Sequence, residues 1–180
     1  MASQSAQPIT VEPAVTTAAP TEAALRAWYD ESLPRVYGYL FNRCGRNAHT
    51  AEELTQQTFV EAVRSRRAPN DEPVTWLIGI ARHRLLDHFR KLERRERGFL
   101  RLVATRPPTD IWPDTESDDQ IAAALAQLPA GQRSAIVLRY MDDLPVAEVC
   151  RLLGRSEGAV ESLLSRGRAA LRESLAEFRS

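Results

Sequence analysis

The sequence predicts an all-α chain: two small helical domains joined by a flexible acidic linker, the second containing a helix-turn-helix. Three observations predict this. Apolar residues recur at the 3.6-residue period of helices, while strand-like alternation is nearly absent. Residues 98–119 interrupt that pattern with three prolines and five carboxylates, and carry no basic residue after Arg106. Near the C-terminus, "VAEVCRLL" and "EGAVESLLSRG" are helical segments separated by a Gly-Arg-Ser hinge. At 180 residues the chain can bury one good core or two small ones.

Residues 1–20, "MASQSAQPITVEPAVTTAAP", hold almost no large apolar side chains and are expected to form a disordered tail. They lack the basic start and unbroken apolar run of a secretory signal. Nothing approaches the roughly 20 apolar residues that span a bilayer, so a soluble protein that stays where it is made is expected.

The first domain is expected over 21–97. Leu25, Trp28, Tyr29 and Leu33 fall on helical spacing, Pro34 is expected to break or restart the helix, and Val36, Tyr37, Leu40 and Phe41 continue the pattern. Thr50 followed by Glu53 forms a capping-box signature ahead of Leu54, Phe59 and Val63. "RRAPNDEP" is a loop by its Pro, Asn and Asp content, and Pro73 suits the first turn of a helix running to about Arg97. The linker follows over 98–119, then the second domain over 120–177. There Ile121, Leu125 and Leu128 precede a Pro129–Gly131 break, and Ile136, Val137 and Tyr140 follow it.

A formal net charge of zero hides segregation. Residues 63–106 carry 12 basic and 5 acidic side chains, and residues 107–132 carry none and 5. A basic block beside an acidic one implies local partners of opposite sign. Within 74–97, Leu77, Ile80, Ala81, Leu85, Phe89 and Leu92 form the core-facing stripe. Opposite it, counting 100° per residue, lie Trp76, His83, Asp87, Arg90 and Arg94, joined by Lys91 in "RKLERRER". A flat aromatic offers a base a stacking surface, and guanidinium groups hold phosphates. The bland reading folds Trp76 under the preceding loop and leaves the charged run as a solvated face. Eight Arg/Lys against three acids between Arg82 and Arg101 favour an anionic polymer.

In the helix-turn-helix, Gly154 can supply the left-handed turn residue and Ser156 the N-cap. Val160, Leu164, Gly167 and Leu171 face inward, with Gly167 permitting close approach of helices. Ser156, Glu157, Glu161, Ser162, Ser165 and Arg166 are left on the outer first turns, where a recognition helix meets base edges. Cys44 and Cys150 are expected to be free thiols, and no His/Cys grouping has metal-ligand spacing, so neither cofactor nor metal is expected. No nucleophile–base pair appears, which argues against an enzyme.

Three ordered stretches carry a family resemblance. "AEELTQQTFVEA", "WLIGIARHRLLDHFRK" and "LPAGQRSAIVLRYMDDLPVAEVCRLLGRSEGAVESLLSRGRAALRESL" resemble, in that order, the polymerase-binding segment, the −10-reading helix and the −35-reading domain of extracytoplasmic-function (ECF) sigma factors. The likeness covers about 22–97 and 120–176. It implies a bacterial transcription-initiation subunit, non-enzymatic itself, that directs core RNA polymerase to promoters. Glu52, Glu53, Gln56 and Gln57 would dock on the clamp helices of the polymerase's largest subunit. Asn70 and Asp71, in the loop matching the family's specificity loop, would read a flipped non-template base of the −10 element. Trp76, His83, Asp87, Arg90, Lys91 and Arg94 would hold −10 DNA, and the linker would lie inside the polymerase cleft. The −35 element would be met by Ser156, Glu157, Glu161, Ser162, Leu163, Ser165 and Arg166.

The resemblance further implies an anti-sigma partner and a cytoplasmic, nucleoid-associated location, with the chain held at the membrane only through that partner. Departures from the family pattern are His83 in place of Asn, Glu161 in place of Lys and Leu163 in place of Arg. A glutamate can accept from cytosine N4 and a leucine can rest on a thymine methyl, so these residues are expected to favour an atypical −35 sequence. The bland alternative has Glu161 in solvent and Leu163 packed at the domain edge. Competing functions are a stand-alone helix-turn-helix regulator and a sigma-like chain that sequesters polymerase or an anti-sigma factor.

Overall fold

The computed structural model describes residues 22–65, 73–99 and 116–177. Seven α-helices and one π-helical turn make up these residues: α1 (Glu22–Arg43), α2 (Ala48–Arg64), α3 (Pro73–Phe99), α4 (Glu116–Gln127), α5 (Ala130–Ile136), the π turn (Val137–Met141), α6 (Val146–Leu153) and α7 (Glu157–Glu177). The expected tail, 1–20, and linker residues 100–115 lie outside the described residues.

Helices α1, α2 and α3 pack pairwise around a first core that includes Val36, Leu40, Leu54, Phe59, Leu77 and Leu85. The stripe read from 74–97 holds: Leu77, Ala81, Leu85 and Phe89 are buried, with Ile80 and Leu92 half-buried against them. Two details of the sequence reading are corrected. Pro34 sits inside a continuous α1, in a helix whose buried face supplies much of the first core. The cap of α2 is Asn47, whose side chain accepts from Thr50 N at 2.8 Å, not a Thr50/Glu53 box; Glu53 instead accepts from Gln57 at 2.9 Å. Asn47 occupies the N-cap position with extended backbone (φ −74°, ψ 102°), which leaves Thr50 inside the first turn, and the chain reverses just before it through Gly45 and Arg46, both at positive φ.

Helices α4 to α7 enclose a second core of Leu125, Leu128, Ile136, Leu138, Val149, Val160 and Leu164. Residues 116–119, read as linker, form the first turn of α4. Gly167 admits α5: an added Cβ would meet Ile136 Cγ1 at 2.9 Å. Gly154 ends α6 at φ 64° and ψ 41°, with its N–H bonded to Cys150 O, the left-handed cap the turn required. Ser156 caps α7 by accepting from Ala159 N at 3.4 Å, a long contact.

The two cores meet. Leu86, on α3, is buried in the second cluster, and Val137, in the π turn, is buried in the first. Gly45 lies so close to α4 that an added Cβ would stand 2.9 Å from Ala126 Cβ.

Both cysteines are free thiols. Burial pushes the Cys44 thiol up to about 12, opposed only by the charge of Arg133, whereas Cys150 is half-buried in α6. An Ellman titration at pH 8 is therefore expected to modify Cys150 in the folded chain and Cys44 only after denaturation, because a thiolate is the reacting form. Equal native rates at both would overturn this assignment.

Candidate nucleic-acid interface

On α3, His83, Asp87, Arg90, Lys91 and Arg94 are all exposed, as their positions opposite the core stripe require. Trp76 differs from them: it is half-buried and packs against the first core. Asp87 accepts from Arg90 Nη1 at 2.9 Å. The other end of that guanidinium reaches across to the second domain, where Nη2 donates to Leu152 O at 2.7 Å.

A groove between α2 and α3 brings two expected sites together. Glu53 and Gln57 line it from α2, and Asp87, His88, Lys91 and Arg94 from α3. Glu52, Glu53 and Gln56 are exposed and Gln57 half-exposed, so this polar face of α2 is available to a macromolecule. Burial lowers the His88 pKa, with the charge of Arg133 adding to the effect. Asn70 and Asp71 lie outside the described residues.

On α7, Ser156, Glu157, Glu161, Ser162, Ser165 and Arg166 face solvent on the first turns. Val160, Leu164 and Gly167 are buried beneath them and Leu171 is half-buried. Leu163 is corrected: it is 8% exposed and belongs to the second core, packed towards Gly131, so it does not present itself to DNA. Leu163 follows buried Val160 by three residues and precedes buried Gly167 by four, so it shares their inward face, which packs against α5.

The sequence reading missed a further face of α3. Arg82, Leu86, Arg90, Glu93 and Glu96 lie within an arc of about 120° and all turn towards the second domain. Arg82 Nε donates to Asp142 Oδ2 at 2.9 Å. The Asp142 side chain is 1% exposed and also accepts from Arg43 Nε at 2.7 Å and Tyr39 Oη at 3.0 Å. Burial and the Asp142 carboxylate push Tyr39 up to about 12. Burial works against the charge of Arg82, but Tyr39 and Asp142 outweigh it and its pKa is raised. The available signal was Leu86, an apolar residue beside the core stripe with no role in the first domain.

Residues 28–95 match the Sigma-70 region 2 family, and residues 118–171 match Sigma-70, region 4. The chain is 34% identical to the ECF RNA polymerase sigma factor SigE of Mycolicibacterium smegmatis, across 93% of this chain and 68% of that one. The chain belongs to the ECF sigma factors of RNA polymerase. The ECF sigma factor SigL of Mycobacterium tuberculosis is 33% identical, over 91% of this chain and 96% of its own. The solved structure of the sigma factor RpoE in complex with the anti-sigma factor NepR from Bartonella quintana has a TM-score of 0.51 at 21% identity. It covers 84% of this chain and 96% of that one, and shows the shared fold. This sigma factor is thus a transcription-initiation subunit, with region 2 built by α1–α3 and region 4 by α4–α7. Among the described residues no helix is long and apolar enough to cross a membrane.

Proposed function

We propose that this sigma factor docks on core RNA polymerase through Glu52, Glu53, Gln56 and Gln57 of α2 and grips −10 DNA through α3. The outer first turns of α7 read the −35 element. The observation that supports this best is the groove joining the polar face of α2 to Asp87, Lys91 and Arg94, beside exposed Arg90. One surface thereby holds polymerase and promoter backbone next to each other. Asn70 and Asp71, just ahead of α3 in the sequence, are the proposed base-reading residues. Half-buried Trp76 and exposed His83 complete the proposed −10 surface of α3.

Core polymerase and promoter DNA are the partners. The named complex of RpoE with NepR supports a comparable anti-sigma partner for this chain. The proposed location is the cytoplasm, at the nucleoid, with membrane retention only through that partner. Run-off transcription with purified core polymerase tests the reading. Specific starts that require both core and this chain are expected; DNA binding without core, or core binding without transcripts, would overturn it.

With Leu163 buried, base reading at −35 falls to Glu161 and its exposed neighbours. Glu161→Lys is expected to shift the preferred −35 sequence when randomised sites are selected by the reconstituted holoenzyme, at about 1–3 kcal/mol per base pair read. An unchanged preference would show that Glu161 serves solubility alone.

A further inference from the structure

Between its core stripe and its DNA-facing arc, α3 carries a further basic stripe. Arg84, His88, Lys91 and Arg95 follow at i, i+4, i+7 and i+11, within an arc of about 60°, and all four line the groove between α2 and α3. Across the groove α2 presents Glu53 and Gln57, with Glu61 a turn further on. These acids are already engaged: Glu61 accepts from Arg84 Nη2 at 2.8 Å, and Glu53 from Gln57 Nε2 at 2.9 Å. Among the described residues no carboxylate pairs with Lys91, Arg94 or Arg95. Arg84, Arg90, Lys91, Arg94 and Arg95, together with His88, line the groove against only Glu53 and Asp87, so positive charge is left over. Its volume of about 270 Å³ falls just below the range for drug-sized ligands, which suits a small anion.

We propose that this groove binds a free polyphosphate chain, of the kind carried by nucleoside triphosphates, along the Arg84–His88–Lys91–Arg95 stripe. Guanidinium forks take phosphate oxygens in pairs, and the lysine adds a point charge between them. The stripe rises about 17 Å along α3, so it meets several phosphates in a row rather than one. Promoter duplex also carries phosphates, but its backbone rests on rim residues such as exposed Arg90 and Arg94. It cannot pass between packed helices whose axes lie about 8–10 Å apart. No phenyl, phenol or indole ring lines the groove, so the phosphates are recognised and a base is not. His88 makes occupancy sensitive to pH. The groups facing this half-buried imidazole are Glu53 from α2, Lys91 and Arg95 from its own helix, and Arg133 from α5, while Arg84 is tied to Glu61. A polyanion beside His88 favours its protonated form, so binding takes up a proton and tightens as pH falls. An occupied groove commits Lys91 and lays negative charge against the polar face of α2, opposing promoter and polymerase alike. That consequence rests on the proposed function; the binding itself does not.

The test is isothermal titration calorimetry of the full chain with three probes: inorganic tripolyphosphate, ATP and a short promoter duplex. Tripolyphosphate is expected to bind one-to-one, and ATP no more tightly. Arg95→Ala is expected to weaken both about 10-fold, the loss of one charge-assisted contact. Arg172→Ala, which removes an exposed arginine on α7, is expected to leave both unchanged. Between pH 8 and 6 wild type is expected to gain affinity relative to His88→Gln, which keeps a hydrogen-bonding side chain but does not titrate. Equal losses in Arg95→Ala and Arg172→Ala would show diffuse attraction and overturn the site. No binding of tripolyphosphate, tighter binding of ATP, or a dependence on Arg95 for the duplex alone would each overturn it as well. Exposed Arg95 lies outside both cores, so its variant carries the readout if His88→Gln loses helicity by circular dichroism. Calorimetry involves neither polymerase nor transcription, so failure of the functional reading and failure of this site give different results.

Discussion

Leu85→Ala is expected to lower the unfolding free energy by about 2–5 kcal/mol, the range for removing a buried leucine side chain. Leu85 is 1% exposed and lies midway along α3, where all three helices of region 2 meet. Truncation removes its transfer free energy and leaves a cavity that α1 and α2 cannot fill without moving Leu40 or Leu54, both also buried. In a unit of this size the melting temperature is expected to fall by about 10 °C or more, read by circular dichroism. Alanine is the best helix former, so none of the loss comes from propensity. A change below about 1 kcal/mol would mean that the three-helix core is misassigned.

Arg90→Ala, Lys91→Ala and Arg94→Ala combined are expected to weaken holoenzyme binding to promoter DNA by about 10²–10³ at 0.1 M salt. Each lost phosphate contact removes about 0.9 from the slope of log K against log[salt], so the three together flatten it by about 2.7. All three side chains are exposed on α3, and none belongs to the first core. Arg90 also donates to Leu152 O, so the triple variant loses one contact between the two domains, a change that leaves the slope unaffected. The slope is therefore the decisive measurement. Filter binding or fluorescence anisotropy between 50 and 300 mM salt reads it, and an unchanged slope would remove α3 from the DNA interface.

The helices were legible because each core face repeats at the helical period. Leu77, Ala81, Leu85 and Phe89, or Val160 and Leu164, declare their burial by spacing alone. Gly154 and Gly167 were legible for a different reason: a left-handed cap and a close helix crossing both exclude a Cβ. The reading failed where a second surface claimed a residue. Leu163 looked outward until α5 was placed over it. Asn47 displaced Thr50 as a cap because loop geometry, not pattern, decides which side chain reaches the first free amide.

By itself the sequence determined two helical units, the position of the basic helix and the motifs that place the chain among ECF sigma factors. Periodicity and local backbone chemistry act over a few residues, and they are written in order along the chain. Only the tertiary structure decided that α3 has a third face, and that Asp142 meets Arg43 and Arg82 from 99 and 60 residues away. Contacts over such separations depend on how two finished domains rotate against each other, and no local pattern encodes that rotation.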